Sequence, residues 1–261
     1  MQPIKHDPKL LQTNCAQSFI KLMEYFLQST DYVGVSFWLV SVAMVAATVF
    51  FLYEGMHVKE SWRVSMLLMG LVTLIAGIHY YYMRDYWIAS QESPIVYRYI
   101  DWLLTVPLQM IEFYLILVAA GLAARSGIFW RLLVGTLVML LGGYAGENNW
   151  IHPTLGFVIG MVGWIYIVYE VFRGESSVIA SKKDSINKAF KALGLIIVFG
   201  WAIYPIGYIF GLLSPMIGMG TVNINFLNVT YNLADFVNKI LFGLIIWDVA
   251  RKDSSKDLKD V

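Results

Sequence analysis

Lys239 stands in the middle of the run Tyr231 to Trp247, YNLADFVNKILFGLIIW, which is otherwise apolar and close to the length of a membrane-crossing helix. An ammonium at the centre of such a helix costs at least roughly 2.5 to 3.5 kcal/mol on insertion scales, and such groups usually face a bundle interior or a cavity. Asp235 precedes it by four residues, so carboxylate and amine share one helix face and can neutralise each other. Two chemistries fit this pair. One is a structural ion pair; the other is a lysine held in an apolar site so that its amine condenses with a carbonyl compound as a Schiff base.

A second set of costly residues lies in RYIDWLLTVPLQMIEFYLIL, where Arg98, Asp101, Thr105 and Glu112 interrupt an apolar stretch. On a helix Thr105 lies about 40° and Glu112 about 20° from Asp101, so the three line one face, with the carboxyls about 16 Å apart along the axis. That distance excludes a shared proton or a common metal ion. It allows two carboxyls to flank a group between them and exchange protons with it from opposite ends. Arg98, one turn before Asp101, would keep that carboxylate ionised, whereas Glu112 has no cation neighbour in sequence and desolvation would hold a proton on it. The plainer reading makes all four helix-packing groups. In FGWAIYPIGY, Trp201, Tyr204 and Tyr208 form one aromatic stripe and Pro205 permits a kink. The stripe suits core packing, or, with Trp102, the walls around a long flat polyene.

The positioning elements follow from composition. Of 261 residues, 58% are hydrophobic and only 14% charged, with a mean hydropathy of +0.63, which defines an all-α integral membrane protein rather than a soluble domain. Seven segments of spanning length are predicted, at about 35–54, 62–83, 95–120, 127–146, 154–173, 189–213 and 226–249, giving a seven-transmembrane-helix bundle. Strict alternation over short segments, the mark of a β-barrel, is absent. Turn chemistry marks joints at Ser93-Pro94, Ser126-Gly127, Arg173-Gly174 and Ser214 to Gly220. A net charge of +1 argues against a nucleic-acid partner, and Cys15, being alone, excludes an internal disulfide or a cysteine metal cluster.

Residues 1–32 lack a clean signal-peptide core, so no cleavage motif is expected there. Phe19, Ile20, Met23, Phe26 and Leu27 could form a short interfacial helix on the outer side. Residues 33–250 make the bundle and 251–261 a polar tail. The loops after the first, third and fifth helices and that tail hold thirteen lysines and arginines, against four on the opposite side. The positive-inside rule then puts the N-terminus outside and the C-terminus in the cytoplasm.

With these residues in view, the chain resembles the microbial rhodopsins, and among them the proteorhodopsins. RYIDWLLTVPLQ, FGWAIYPIGY and NLADFVNKILFGLIIW match the third, sixth and seventh helices of that family nearly residue for residue, and VSFWLVS, GIHYYYMRDYW and GYAGE are also similar. The likeness covers roughly residues 30 to 250. It implies that Lys239 carries all-trans retinal as a protonated Schiff base, that Asp101 is the primary counterion and proton acceptor, Asp235 the second counterion and Glu112 the cytoplasmic proton donor. It also implies that Arg98 is the extracellular arginine, that Thr105 sits beside the acceptor, and that His79 bonds the acceptor aspartate. Trp102, Met139, Gly143, Trp164, Trp201, Tyr204, Pro205 and Tyr208 correspond to retinal-pocket positions. Gln109 matches the colour-tuning position, where glutamine accompanies blue rather than green absorption. The implied function is a light-driven outward proton pump in a bacterial inner membrane, with protons, lipid and further copies of the chain, as a pentamer or hexamer, as partners. A photosensor signalling through a transducer is the alternative, and it has no need of Glu112. A transporter or receptor without a chromophore would explain seven helices but leaves Lys239 and the aromatic stripe unexplained.

Overall fold

A computed structural model describes residues 26–220 and 222–257. Seven long helical stretches are found among them: α1 (Tyr32–Gly55), α2 (Glu60–Ser90), α3 (Ile95–Ala119), α4 (Ser126–Glu147), α5 (Pro153–Ala180, broken at Gly174), α6 (Asp184–Met216) and α7 (Ile224–Asp257). Six of them are long and apolar enough to cross a membrane. The seventh, α7, falls short because Asn228, Asn232, Asp235, Asn238 and Lys239 interrupt it. The chain is a seven-helix bundle. The expected interfacial helix falls outside the described residues except for 26–31, which form bends and a turn.

The bundle is apolar outside and polar at its centre. Leu39, Val49, Ile165 and Phe199 are more than half exposed on its periphery, while Arg98, Asp101, Thr105, Glu112, Asn228, Asn232, Asp235 and Lys239 are buried. This inversion is what a lipid solvent selects, since polar groups must find their partners within the protein. α4 and α5 approach so closely that a Cβ at Gly163 would meet Met139 N at 2.5 Å, and one at Gly156 would meet Gly146 Cα at 2.6 Å. Small residues at those positions let the two backbones touch.

Asp31 caps α1 by accepting from Gly34 N (2.9 Å), and it also accepts from Trp87 Nε1 (3.0 Å), pinning the start of α1 to the end of α2. α2 outruns its expected end by seven residues because Arg84 is neutralised by Asp85 at 2.7 Å and lies over the rings of Trp38 and Tyr81. The joint expected at Ser126-Gly127 is instead the first turn of α4, and the chain reverses at Gly121, whose φ of +74° is left-handed. At the other end, Asp253 of α7 gathers Lys183 at 2.7 Å, Lys59 at 3.7 Å and Trp62 Nε1 at 3.0 Å, tying α7 to the start of α2 and to the loop before α6.

Candidate functional site: a buried lysine between two carboxylates

α3 and α7 place their costly residues face to face. Lys239 Nζ donates to Asp101 Oδ2 and to Asp235 Oδ2, both at 2.8 Å, and all three side chains are almost fully buried. The two carboxylates are not equivalent. Asp235 also accepts from Tyr80 OH (2.8 Å), from Trp102 Nε1 (3.2 Å) and from Tyr204 OH, so donors from α2, α3 and α6 converge on it. Asp101 Oδ1 has no hydrogen-bond partner.

Two expected contacts, those of Arg98 and His79, differ in detail. Arg98 was expected to support Asp101, but its guanidinium donates to Tyr80 OH (3.3 Å), Asn228 Oδ1 (3.0 Å) and Asn232 Oδ1 (2.7 Å) and is ringed by Phe37, Tyr80 and Tyr231. Its reach is taken up by α7, and its link to the carboxylate pair runs through Tyr80 to Asp235. His79 Nδ1 lies 3.8 Å from Asp101 Oδ1, too far for a hydrogen bond, because it is engaged with the Ile75 carbonyl one turn back at 2.9 Å. Thr105 Oγ1 donates to the backbone carbonyl of Asp101 at 2.9 Å and not to its carboxylate.

Glu112 is fully buried, and neither of its carboxyl oxygens has a hydrogen-bond partner; the hydroxyl of the nearby Ser65 is likewise unpartnered. An ionised carboxylate in that setting is costly.

A cavity opens beside Lys239. All nine of the expected pocket positions line it: Trp102 and Gln109 from α3, Met139 and Gly143 from α4, Trp164 from α5, and Trp201, Tyr204, Pro205 and Tyr208 from α6. Gln109 Nε2 reaches towards the Asn238 carbonyl at 3.5 Å, which fixes its amide next to the lysine helix. A Cβ at Gly143 would stand 2.7 Å from Tyr99 OH, so the glycine keeps that wall open.

Sequence reasoning missed Tyr80, Asn228, Asn232 and Asn238. The asparagines carried a signal: Asn228, Asn232, Asp235 and Lys239 recur at i, i+4, i+7 and i+11, one polar stripe down α7. Tyr80 carried none, since it stands among three successive tyrosines, and only packing distinguishes the buried Tyr80 from the exposed Tyr81 and Tyr82.

Known proteins resemble this chain in sequence and fold. Residues 31–253 match the family described as bacteriorhodopsin-like protein. A blue-light absorbing proteorhodopsin of Gamma-proteobacterium Hot 75m4 is 54% identical over 230 residues, and a green-light absorbing proteorhodopsin of Gamma-proteobacterium EBAC31A08 is 53% identical over 230 residues. Each alignment spans 88% of this chain and 90% of the relative. Among solved structures, xanthorhodopsin, described as a light-driven ion pump with dual chromophore, superposes with a TM-score of 0.77 at 26% identity, over 88% of this chain and 97% of that one. By the extent of these matches and the seven-helix fold they share, the chain belongs to the bacteriorhodopsin-like family.

Proposed function

We propose that this chain is a blue-absorbing, light-driven outward proton pump of the proteorhodopsin type, with all-trans retinal on Lys239. Its setting is a bacterial inner membrane, with the N-terminus outside and the C-terminus cytoplasmic, the direction favoured by the lysine and arginine asymmetry. Resemblance to the proteorhodopsins further supports a pentameric or hexameric homo-oligomer.

The residues fit the ligand. A long apolar aldehyde needs an amine at one end of an apolar slot, flat aromatic walls, and an anion near the nitrogen to balance its charge. Lys239, the Trp102, Trp201 and Tyr204 rings, and Asp101 with its bare Oδ1 supply these. When bound, retinal supplies visible absorption and a light-triggered change of shape at the Lys239 nitrogen.

The observation that carries the reading is the inequality of the two carboxylates. Asp235, saturated by donors from Tyr80, Trp102, Tyr204 and Lys239, remains the fixed anion. Asp101, with one oxygen unclaimed, is the carboxylate that accepts a proton from the lysine nitrogen. Glu112, about three turns further along α3, holds a proton on the cytoplasmic side and returns it to that nitrogen. Acceptor and donor on opposite sides of one amine make the transfer directional. The xanthorhodopsin likeness supports pumping, and the presence of Glu112 disfavours a purely sensory role.

The test is expression with added all-trans retinal in unbuffered cells. Illumination should acidify the medium, and a protonophore should abolish the signal; no pH change from a coloured, folded protein overturns the pump reading.

A further inference from the structure

α6 is broken beside the cavity in a way that sequence and geometry explain together. Pro205 has no N–H, so the carbonyl of Trp201, four residues earlier, loses its helical donor. Tyr204 N–H turns to that carbonyl instead, at 3.1 Å, and so deserts the carbonyl of Gly200. One turn earlier the ladder slips the other way: Trp201 N–H donates to Ile196 O at 3.0 Å, an i to i−5 bond, and the carbonyl of Ile197 is released. Two backbone acceptors are thus freed inside the membrane, where each must find a partner.

Both partners are side chains from the cavity wall. Trp164 Nε1 of α5 donates to Ile197 O at 3.0 Å. Asn238 Nδ2 of α7 donates to Gly200 O at 3.0 Å and to Tyr204 OH at 3.3 Å, while the Asn238 backbone carbonyl takes the weak contact from Gln109. Gly200 is required for this approach, because a Cβ there would overlap Asn238 Oδ1. Asn238 is the chain neighbour of Lys239, and the Tyr204 hydroxyl it contacts donates to Asp235.

We propose that Asn238 is a positioning residue that latches the α6 break to the lysine helix, so that displacement at Lys239 is transmitted to α6 through the Asn238–Gly200 hydrogen bond. α6 is therefore a hinge with a removable pin, and the pin sits one residue from the reactive amine. The mechanical consequence rests on the retinal-lysine reading of Lys239; the latch itself does not.

A double-mutant cycle tests it. Asn238→Leu keeps the volume and removes the donor. Pro205→Ala restores an N–H that can serve Trp201 O, freeing the Tyr204 N–H for Gly200 O and making the latch redundant. The first readout is dark hydrogen–deuterium exchange of the peptides covering 196–208, measured without light or retinal. Asn238→Leu should speed that exchange by on the order of tenfold, the scale expected for one orphaned buried acceptor, and by less than about twofold in the Pro205→Ala background. The second readout, on retinal-loaded protein, is recovery after a flash, where a several-fold change in half-time should shrink in the same background. Equal effects of Asn238→Leu in both backgrounds, or none on exchange, overturn the latch. If exchange behaves as expected but wild-type protein forms no pigment, the latch stands and the retinal reading fails. Should Asn238→Leu not accumulate, Gly200→Ala displaces the amide sterically and is read in the same cycle against the same two outcomes.

Discussion

Lys239 and Asp101 meet at 2.8 Å although 138 residues separate them, and Asp101 gives the lysine only one of its oxygens. The unclaimed oxygen leaves Asp101 with acceptor capacity that Asp235, engaged by donors from Tyr80, Trp102, Tyr204 and Lys239, does not have.

Lys239→Ala should give a colourless protein after addition of all-trans retinal, checked by the visible spectrum. Among the described residues no other amine lines the cavity, and the Arg98 guanidinium, which is no primary amine, is committed to Tyr80, Asn228 and Asn232. Removing the cation also leaves two buried carboxylates facing each other. A stability loss of about 3 to 5 kcal/mol is expected if both stay charged, read as a lower thermal midpoint in detergent.

Asp101→Asn should shift absorption to the red and abolish outward transport. An ionised carboxylate beside the protonated nitrogen stabilises the ground state and widens the optical gap, and an amide removes that charge. Acidifying wild type should reproduce the red shift. A spectrum that stays constant from pH 9 to pH 4 and is unaltered by the substitution rules Asp101 out as the counterion.

Glu112→Gln should still release a proton outward after a flash but recover slowly, by on the order of a hundredfold, the lower range of what a positioned acid contributes. Added azide, a diffusible proton carrier, should restore the rate. Decay as fast as wild type at neutral pH removes Glu112 from the donor role.

Gln109→Leu should shift absorption to the red with transport retained. The amide dipole lies beside the lysine helix, so it acts unequally on ground and excited states of a polyene along the cavity. Leucine has nearly the same volume, so packing cost is small. A maximum unmoved within a few nanometres would falsify the colour assignment, which overall identity cannot make, since the blue and green relatives match almost equally well.

Asp253, beyond the span, gives a pH dependence of stability. Partial burial pushes its carboxyl up, but the hydrogen bonds from Lys183 and Trp62 and the charges of Lys183 and Lys59 outweigh that and hold it below the usual carboxylate range. A lowered carboxylate stabilises the fold above its unfolded value, about 3.9, and loses that contribution as pH falls through the lower folded value. Asp253→Asn should therefore lower the thermal midpoint more at pH 7 than at a pH below the usual carboxylate range. A gap of equal size at both pH values means that packing, not charge, ties α7 to the loop before α6.

Much of the site was legible because a membrane makes each charge conspicuous. Lys239, Asp235, Asp101 and Glu112 stood out on cost alone, and helical spacing assigned their faces. What sequence could not carry was partner choice across helices. Arg98 lies one turn from Asp101, yet it is spent on Asn228 and Asn232, which are 130 and 134 residues away. The α2 extension to Ser90 was hidden for a related reason: Arg84 and Asp85 look like a helix end until Trp38 and Tyr81 are seen to cover the arginine. The Pro205 kink was readable, but the slip at Ile196 that precedes it has no proline or glycine pair to announce it.

The polar stripe that keeps α7 less apolar than its six companions also bears on how the molecule is made. A helix carrying Asp235, Lys239 and several asparagines partitions poorly into lipid by itself, each charge costing about 2.5 to 3.5 kcal/mol at mid-depth. It is last of the described helices in chain order, so the α3 carboxylate, Tyr80 of α2 and Tyr204 of α6 are synthesised before it. Insertion of α7 is thus completed by its docking site, and a bundle halted after α6 would leave Asp101 in the membrane without the Lys239 ammonium.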